Sequence, residues 1–476
     1  MQKLISKYGA AAHLAILAVS PLFLFPFTGS VWTARTLMWL SALALVWLTM
    51  EPSRRAGELP HDARSRVAHA IVTDPLLYVL VTIVAACGLR WANAGVAMAY
   101  DAETFLWSLK GPACAIFPGV VSGSGELEFS ASLAAAVVIT GCRHSLGKSA
   151  RISFLFTASL LAGAAALSAA VAAYLGHEGA IAMMNRDFST PVFIGSAFGV
   201  YFLGSIIALV GALEIEWNRL LPILAFSMGA TAVGLFFFAP SALIALYLAA
   251  GLFLFLASAI YSGITIGVAS SLKCLAAFVL GSLVPILFAL ALMPDGLADN
   301  RLAVFTPDGT WFPANFDALK STLSTISRKI WSNHPWLGTG VGSYSLALRF
   351  NASPEDWAFI DPSRASAATG WWTLLSERGL VGAIFLALPL GFLLFTYFRR
   401  AIGILRGKTF VPAAILAPTV IGVVIAETFF DSSFLRPEIL ISLGAFLAIA
   451  ACAFPAKTAT AVAESDSETS APAKGE

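Results

Sequence analysis

The chain has 476 residues, of which 58% are hydrophobic and only 12% are charged, and its formal net charge is +2. A single soluble globule cannot bury so large a share of apolar sequence, so this composition indicates a polytopic membrane protein. Nucleic acid is not expected as a partner, because the one long polar stretch, residues 294–376, contains seven acidic residues against six basic ones and forms no basic surface.

Apolar windows separated by charged or Pro/Gly-rich breaks recur along the chain. A transmembrane helix needs roughly 20 mostly apolar residues. About twelve windows approach that length, near 10–28, 31–50, 71–90, 126–142, 152–175, 191–213, 220–238, 241–261, 274–293, 379–397, 410–427 and 437–454. The sequence therefore predicts an all-α polytopic membrane protein with about twelve transmembrane helices. Residues 92–125, which mix charged and apolar positions, are interpreted as a re-entrant or surface piece.

Lysine and arginine residues accumulate in alternate loops, as around Arg54, Arg143 and Arg399. Because basic residues are retained in the cytoplasm, this bias predicts that both termini are cytoplasmic and that residues 294–376 form a large, partly helical periplasmic loop. Residues 1–293 then contain nine spans, 377–456 contain three, and 457–476 form a disordered cytoplasmic tail. In a bacterium this is a multi-pass protein of the inner membrane.

Neither the first apolar segment nor the cysteines indicate processing or a metal site. The first segment follows Lys3 and Lys7 but has no small-residue cleavage pattern, so we expect an uncleaved anchor. The five cysteines, at positions 87, 114, 142, 274 and 452, form no Cys-x-x-Cys pair. We expect no disulfide framework, no metal and no cofactor.

The long loop contains an amphipathic segment followed by a glycine-rich one. Leu319, Leu323, Ile326 and Ile330 are spaced as one face of a helix that begins near residue 315 and that Pro335 ends. Beyond that proline, glycines alternate with other residues at positions 338, 340 and 342. Glycines at this spacing allow turns closed to other residues and a close approach to a helix or a ligand.

The segment His334 to Tyr344, His-Pro-Trp-Leu-Gly-Thr-Gly-Val-Gly-Ser-Tyr, resembles the signature of the O-antigen ligase and O-antigen polymerase superfamily. Trp371 to Gly382 resembles the helix that follows the loop in that family, and Asn185 to Gly195 resembles its stretch with an outward-facing arginine. The resemblance implies a bacterial inner-membrane glycosyltransferase. It would move a glycan from a polyprenyl-diphosphate carrier to a glycolipid or glycan acceptor on the periplasmic face of the lipid bilayer, without a metal.

The resemblance also suggests site residues. Arg186 fits the position of a diphosphate-binding arginine, but Ala242 and Ala368 stand where the family has a second arginine and a histidine. Glu377 or Asp361 is a candidate to accept the acceptor's proton. The predicted catalytic residues are Arg186 and Glu377, and the predicted substrate-binding residues are Arg364, Arg436, His334, Gly338, Gly340 and Gly342.

Two other functions remain open. A non-catalytic relative that binds a lipid-linked glycan or assists a polymerase would explain the alanines at 242 and 368. A secondary transporter would also have about twelve spans, and it would place ionisable residues near the middle of those spans.

Overall fold

A computed structural model describes the backbone over most of the chain. The described residues are 2–50, 59–95, 97–101, 106–110, 124–178, 180–181, 194–214, 218–265, 267–293, 302, 316–358, 360, 367, 369–405, 413–429 and 437–452. Apolar helices dominate them, and the chain is a predominantly helical, polytopic membrane protein. Arg186, Asp361, Arg364, Ala368 and Arg436 lie outside the described residues.

The elements follow one another as helices with a single described hairpin between the third and fourth. In chain order they are α1 (Gln2–Met50), α2 (Pro60–Val72), α3 (Pro75–Ala92), β1 (Ala97–Asp101), β2 (Leu106–Lys110), α4 (Ser124–Thr140), α5 (Lys148–Tyr174), α6 (Ile194–Glu214), α7 (Leu221–Phe238), α8 (Ser241–Thr265), α9 (Val268–Phe278), α10 (Val284–Leu292), α11 (Phe316–Asn333), α12 (Tyr344–Asn351), α13 (Gly370–Leu405), α14 (Ala413–Glu427) and α15 (Pro437–Cys452). Two π-helical turns, Gly141–Ser145 and Val279–Leu283, follow α4 and α9.

Eight helices within the described residues are long and apolar enough to cross a membrane. Four further apolar helices have 10–17 residues, namely Tyr8–Leu24, Ser271–Leu287, Pro418–Glu427 and Ile439–Ile449. Each of the twelve windows predicted from the sequence overlaps one of these helices. Because the four short ones fall below the roughly 20 residues that usually cross a bilayer, the count of twelve remains a prediction.

Helix α1 doubles back on itself. The rings of His13 and Trp47 stack with 4.5 Å between their centroids, and Leu14 and Leu48 both lie against Gly141. In a straight helix, residues 13 and 47 would lie about 51 Å apart, since each residue adds about 1.5 Å. The chain therefore reverses between them, and the two arms correspond to the two separate windows seen in the sequence.

Small residues allow the helices of the bundle to approach closely. A Cβ atom on Gly163 of α5 would lie 3.0 Å from the carbonyl oxygen of Ser227 in α7, and one on Gly234 would lie 2.7 Å from Ala166. Close approach at small residues is the usual way for helices to pack within a membrane, where no hydrophobic effect drives them together. Gly163 contacts Ser227, and the later residue Ala166 contacts the later residue Gly234. The contacts advance in the same direction along both helices, so α5 and α7 run parallel.

The described part of the long loop folds into a subdomain with its own core. Leu319, Leu323, Ile326 and Ile330 of α11 are buried, with Tyr344 and Leu348 of α12 in the same cluster. The predicted helix and its apolar face are confirmed, and α11 ends at Asn333, two residues before Pro335. We call residues 316–358, with 360 and 367, the loop subdomain.

The segment between α3 and α4 contains secondary structure that the sequence analysis missed. Residues 97–101 and 106–110 form an antiparallel hairpin, with Ala97 opposite Lys110 and Asp101 opposite Leu106. The interpretation of 92–125 as a re-entrant or surface piece named no strand, because two five-residue strands give too short a pattern to stand out from the apolar residues around them.

Candidate functional site

The glycine turn, which we define as Pro335 to Tyr344, lies against a kink in α13. Gly379 has φ +63° and ψ −171° inside that helix, so the helical path is interrupted there. A Cβ atom on Gly379 would lie 2.3 Å from the carbonyl oxygen of Trp336, and one on Gly338 would lie 2.4 Å from the carbonyl carbon of Glu377. Both positions also have positive φ, which L side chains rarely adopt. Glycine is therefore required on each side of this contact.

Main-chain hydrogen bonds join the turn to the kink. The kink exposes backbone groups of α13 that a continuous helix would pair internally, and the turn supplies their partners. The four N–H groups donate from Thr339 to Ser376 (2.8 Å), from Gly340 to Glu377 (2.9 Å), from Leu380 to Pro335 (2.9 Å) and from Val381 to Trp336 (3.1 Å). The loop subdomain is thus fastened to α13 through backbone atoms.

Glu377 holds the far end of the glycine turn. Its side chain is buried, and its Oε1 atom accepts a hydrogen bond from the backbone N–H of Tyr344 (3.2 Å). The Tyr344 hydroxyl in turn pairs with Ser327 Oγ of α11 at 2.8 Å, inside the core of the loop subdomain. The structure therefore gives Glu377 a positioning contact, while its predicted role as a proton acceptor remains a prediction.

An arginine cluster lies immediately beside this contact. We use that name for Arg35, Arg90, Glu126, Glu128 and Arg378. Arg90 of α3 and Arg378 of α13 each place a guanidinium nitrogen 3.1 Å from Oε1 of Glu128 in α4, and all three side chains are largely buried. Because Arg378 stands between Glu377 and Gly379, the cluster begins where the glycine turn meets α13.

One hydrogen-bond donor and one acceptor inside this cluster have no partner among the described residues. Among the described residues, Nε of Arg378 and Oε2 of Glu128 are buried and have no hydrogen-bond partner. A guanidinium group has donors in a fixed planar fork, and a buried donor without an acceptor is costly. An anion with several oxygen atoms could use the open donor of Arg378.

Arg35 forms the exposed edge of the cluster. Its Nε atom lies 3.6 Å from Glu126 Oε1, with 56% of the Arg35 side chain exposed, and its guanidinium stacks over Trp32 at 5.8 Å. From the sequence, Arg35 and Arg90 were interpreted as anchors at the membrane interface, with a place beside Arg186 in a phosphate pocket as the less favoured alternative. Three guanidinium groups face two carboxylates within the cluster, and the carboxylate of Glu377 stands directly beside Arg378.

A second group of charges lies at the other end of α3 and α4. Asp74 caps the start of α3 by accepting from the Leu76 N–H (3.1 Å), and its Oδ2 atom lies 2.6 Å from both Arg143 Nε and His144 Nε2. We call Asp74, Arg143 and His144 the opposite cluster. Burial alone would raise the pKa of Asp74, but the His144 hydrogen bond and the Arg143 charge outweigh it and lower the pKa.

A buried carboxylate in α14 was also missed by the sequence analysis. The Tyr247 hydroxyl donates to Oε2 of Glu427 at 3.0 Å, and neither side chain is exposed. The carbonyl oxygen of Thr428, one residue further on, accepts from the N–H of Gly370 at the start of α13. Glu427 therefore lies at the same end of the bundle as the glycine turn.

The predicted site residues fall into two groups. His334, Gly338, Gly340 and Gly342 all lie in the glycine turn or directly before it, and the structure places Glu377 against that turn. The side chain of His334 is exposed to solvent. No position can be assigned to Arg186, Arg364 and Arg436, which lie outside the described residues.

The sequence contained a signal for the residues that were missed. Glu126, Glu128 and Arg378 are charged residues inside or at the edge of apolar windows, and charges in such places are costly enough to mark functional sites. Arg378 was visible in the Ser-Glu-Arg-Gly step but was passed over for its neighbour Glu377. What the sequence could not show is that four separate helices, α1, α3, α4 and α13, bring the charges of the cluster together.

Metal ligands do not converge in the described ranges, where no three His, Cys, Asp or Glu side chains are placed to hold an ion. The charged groups available at the glycine turn are guanidinium groups and carboxylates. The arrangement therefore offers fixed positive charge and hydrogen-bond donors to an anion. Comparison of the chain with known family models and with curated proteins gives no match.

Proposed function

We propose that this protein is a glycosyltransferase of the O-antigen ligase type, which moves a glycan from a polyprenyl-diphosphate carrier to a lipid or polysaccharide acceptor. The reaction would take place at the periplasmic face of a bacterial inner membrane. The observation that carries the proposal is the arginine cluster beside the glycine turn, in which Arg90 and Arg378 share the single carboxylate of Glu128. The turn is the segment that resembles the family signature.

The chemistry of such a transfer needs a group that stabilises a departing diphosphate. The acceptor's hydroxyl oxygen forms a bond to the anomeric carbon, the bond from that carbon to the diphosphate oxygen breaks, and negative charge develops on the leaving group. Guanidinium groups bind phosphate oxygens in pairs and stabilise this charge without a metal. Arg378 supports this role, since its Nε donor is unused.

The acceptor's proton must also leave, and Glu377 is the candidate in reach of the turn. A general base has to lie within hydrogen-bond distance of the proton it takes. In the structure the carboxylate of Glu377 is buried and faces the N–H of Tyr344. Catalysis by Glu377 would therefore require the end of the turn to move away and admit the hydroxyl.

A second function has its own support. A non-catalytic relative would bind the carrier-linked glycan through the same arginines without transferring it. Ala242, at the position of the family's second arginine, lies inside the hydrophobic core of the bundle, and Glu377 is occupied by the turn. A secondary transporter is less well supported, because Glu128, Glu377 and Glu427 lie towards helix ends at the glycine-turn side.

The test is transfer by the full-length protein in proteoliposomes, supplied with a polyprenyl-diphosphate glycan and a glycolipid acceptor. Arg90→Lys and Arg378→Lys keep the charge but lose the planar fork, so we expect transfer to fall by about 10²-fold in each. Arg328→Lys, an exposed change on α11, is the matched control and should leave the rate unchanged.

The outcomes separate the two functions. Binding of the carrier-linked glycan that depends on Arg90 and Arg378, without any transfer, would support the non-catalytic relative. Transfer that is unaffected by both lysine variants would remove the arginine cluster from the mechanism. If the wild-type protein neither binds nor transfers the carrier-linked glycan, the proposal fails as a whole.

A further inference from the structure

A deep apolar groove with a volume of about 930 Å³ lies on the side of the bundle, away from the arginine cluster. It runs between α5, α7 and the helix formed by α9, the second π-helical turn and α10. Val233 and Phe237 of α7 are buried and form its floor, while Phe226 and Leu280 are more than half exposed and form its rims. The volume is near the upper end of the range that ligand pockets usually have.

The groove is deep because many of the residues that line its walls have small side chains or none. Alanines and a glycine line much of it, among them Ala170, Ala225, Ala276 and Gly281. At Gly281 the π-helical turn brings its backbone against α7, where a Cβ atom on Gly229 would lie 1.9 Å from the Gly281 carbonyl oxygen. Single π-turns inside helices are rare and are frequent at functional sites.

The groove is elongated and longer than one leaflet of a bilayer is thick. Its lining extends along α7 from Leu221 to Phe237, and sixteen residues of helix span about 24 Å. The hydrocarbon core of a bilayer is about 30 Å thick, so the acyl chains of one leaflet span about 15 Å and an extended chain fits within the groove.

Two basic residues lie at the end of the groove near the start of α7. Lys273 is the single charged residue in the lining, and Arg219 stands two residues before Leu221 at the same end of α7. Both side chains are exposed, and neither forms an ion pair within the part of the chain that is described. Since α5 and α7 run parallel, this is also the end of the bundle where Arg143 precedes α5, opposite the glycine turn.

We propose that the groove binds an anionic phospholipid, with one acyl chain along α7 and the headgroup phosphate between Lys273 and Arg219. The apolar walls select a hydrocarbon chain, and the two cations select a negative headgroup over a zwitterionic one. This site is separate from the arginine cluster in position and in chemistry, so it would exist whether or not the protein is a glycosyltransferase.

The experiment measures lipid retained by the purified full-length protein, using native mass spectrometry after exchange into detergent. Phosphatidylglycerol and phosphatidylcholine with identical acyl chains are added in competition. A basic residue near a headgroup layer contributes about fivefold in affinity for an anionic lipid. We therefore expect the double variant Lys273→Gln, Arg219→Gln to lose about 30-fold in affinity for phosphatidylglycerol.

Two further variants make the result specific. Arg328→Gln with Lys329→Gln removes two exposed cations from α11 and should leave retention unchanged. Ala276→Trp fills the groove from an exposed position, keeps both cations, and should lower retention of both lipids. Equal retention of the two lipids by the wild-type protein would overturn the proposal, and so would wild-type retention in either the double variant or Ala276→Trp.

Discussion

The two ends of the α3 and α4 helix pair each hold a buried carboxylate between cations, but the partners come from different parts of the chain. In the opposite cluster, Asp74 pairs with Arg143 and His144, which follow it by 69 and 70 residues, and Arg143 also lies over the ring of Phe392 in α13 at 5.6 Å. In the arginine cluster, α13 contributes an ion pair instead, because Arg378 arrives from about 250 residues further along the chain than Glu128. Antiparallel pairing puts the two ends about 24 Å apart.

The two buried carboxylates have different structural roles: Asp74 caps a helix, and Glu128 links separate helices. Asp74 accepts the first free N–H of α3, so its cluster completes a helix end and satisfies backbone groups. Within the described residues, Glu128 accepts no backbone N–H from α3 or α13, and its ion pairs tie α3 and α4 to the part of α13 that contacts the glycine turn. We expect changes at Glu128 to disturb the loop subdomain, and changes at Asp74 to leave it in place.

The largest effect should come from Glu128→Ala. Removing this carboxylate takes away the ion-pair partner that the buried Arg90 and Arg378 share, and loss of one partner of a buried pair typically costs about 3–5 kcal/mol. The free energy of unfolding in detergent is the measurement. Glu126→Ala is the control, because its contact with Arg35 is longer and partly exposed, and pairs of that kind contribute about 0–1 kcal/mol. Equal losses in the two variants would contradict this reading.

Next in size is Gly338→Ala, which tests the backbone contact between the turn and α13. A Cβ atom there would lie 2.4 Å from the Glu377 backbone at a positive φ. We expect about 1–3 kcal/mol of strain, relieved by separation of the turn from α13. Hydrogen exchange of the Thr339 and Gly340 amides should therefore become faster.

The control for that change is Gly391→Ala in the same helix, where nothing lies within 4 Å of the added atom. Alanine favours a helix over glycine by up to about 1 kcal/mol, so this variant should be neutral or more stable. Unchanged amide protection in Gly338→Ala would show that the contact is not needed to hold the turn.

A smaller, pH-dependent effect is expected for Asp74→Asn. The folded protein lowers the pKa of Asp74, so the stabilisation by its charge is fully present above about pH 3.9, the usual value for aspartate, and is lost as the pH falls through the lowered pKa. Asparagine can still cap α3 but carries no charge. At pH 7 the free energy of unfolding of the variant should be about 1–3 kcal/mol lower than that of the wild type. As the pH falls, the wild type should lose the stabilisation by the Asp74 charge, and the variant should show no such loss.

Thermal unfolding measured from pH 7 down to pH 3 checks this prediction, with the exposed Asp62→Asn as the comparison. The loop subdomain should keep its amide protection in Asp74→Asn, since no contact of the opposite cluster reaches it in the described structure. Loss of that protection would remove the distinction between the two ends.

The smallest effect on stability is expected for His334→Gln. The side chain is exposed at the start of the glycine turn, and surface changes usually stay within about 0.5 kcal/mol. If His334 binds the acceptor, as the sequence suggests, the KM for the acceptor should rise with little change in the melting temperature. An unchanged KM would assign His334 to the surface alone.

The sequence was enough to locate the long apolar helices and α11 but not their arrangement, and it did not reveal the shorter α2 and α12. The apolar face of α11 was found from spacing alone, because an amphipathic helix shows its buried side directly in sequence. The doubling back of α1 was implied by two windows, although the structure joins them in one long helical element. The β1–β2 hairpin was missed, since short strands among apolar residues give no comparable pattern.

The candidate site was predicted only where its parts are close in sequence. The glycines at 338, 340 and 342 were identified, but their partner at Gly379 was not, because no local rule pairs a turn with a kink about 40 residues away. Arg90 was interpreted as an anchor at the membrane surface, whereas in the structure its side chain is largely buried and pairs with Glu128. Such convergence depends on helix packing, which a single sequence does not reveal.

The main-chain joint between the glycine turn and α13 has a mechanical consequence. Four backbone hydrogen bonds hold the turn to α13 and allow little relative movement. A change in the tilt of α13 within the bilayer would therefore move the turn and α11 as well. Bilayer thickness would then influence the position of the loop subdomain through α13. Distances between spin labels on α11 and α5, compared in thin and thick nanodiscs, would reveal or exclude such transmission.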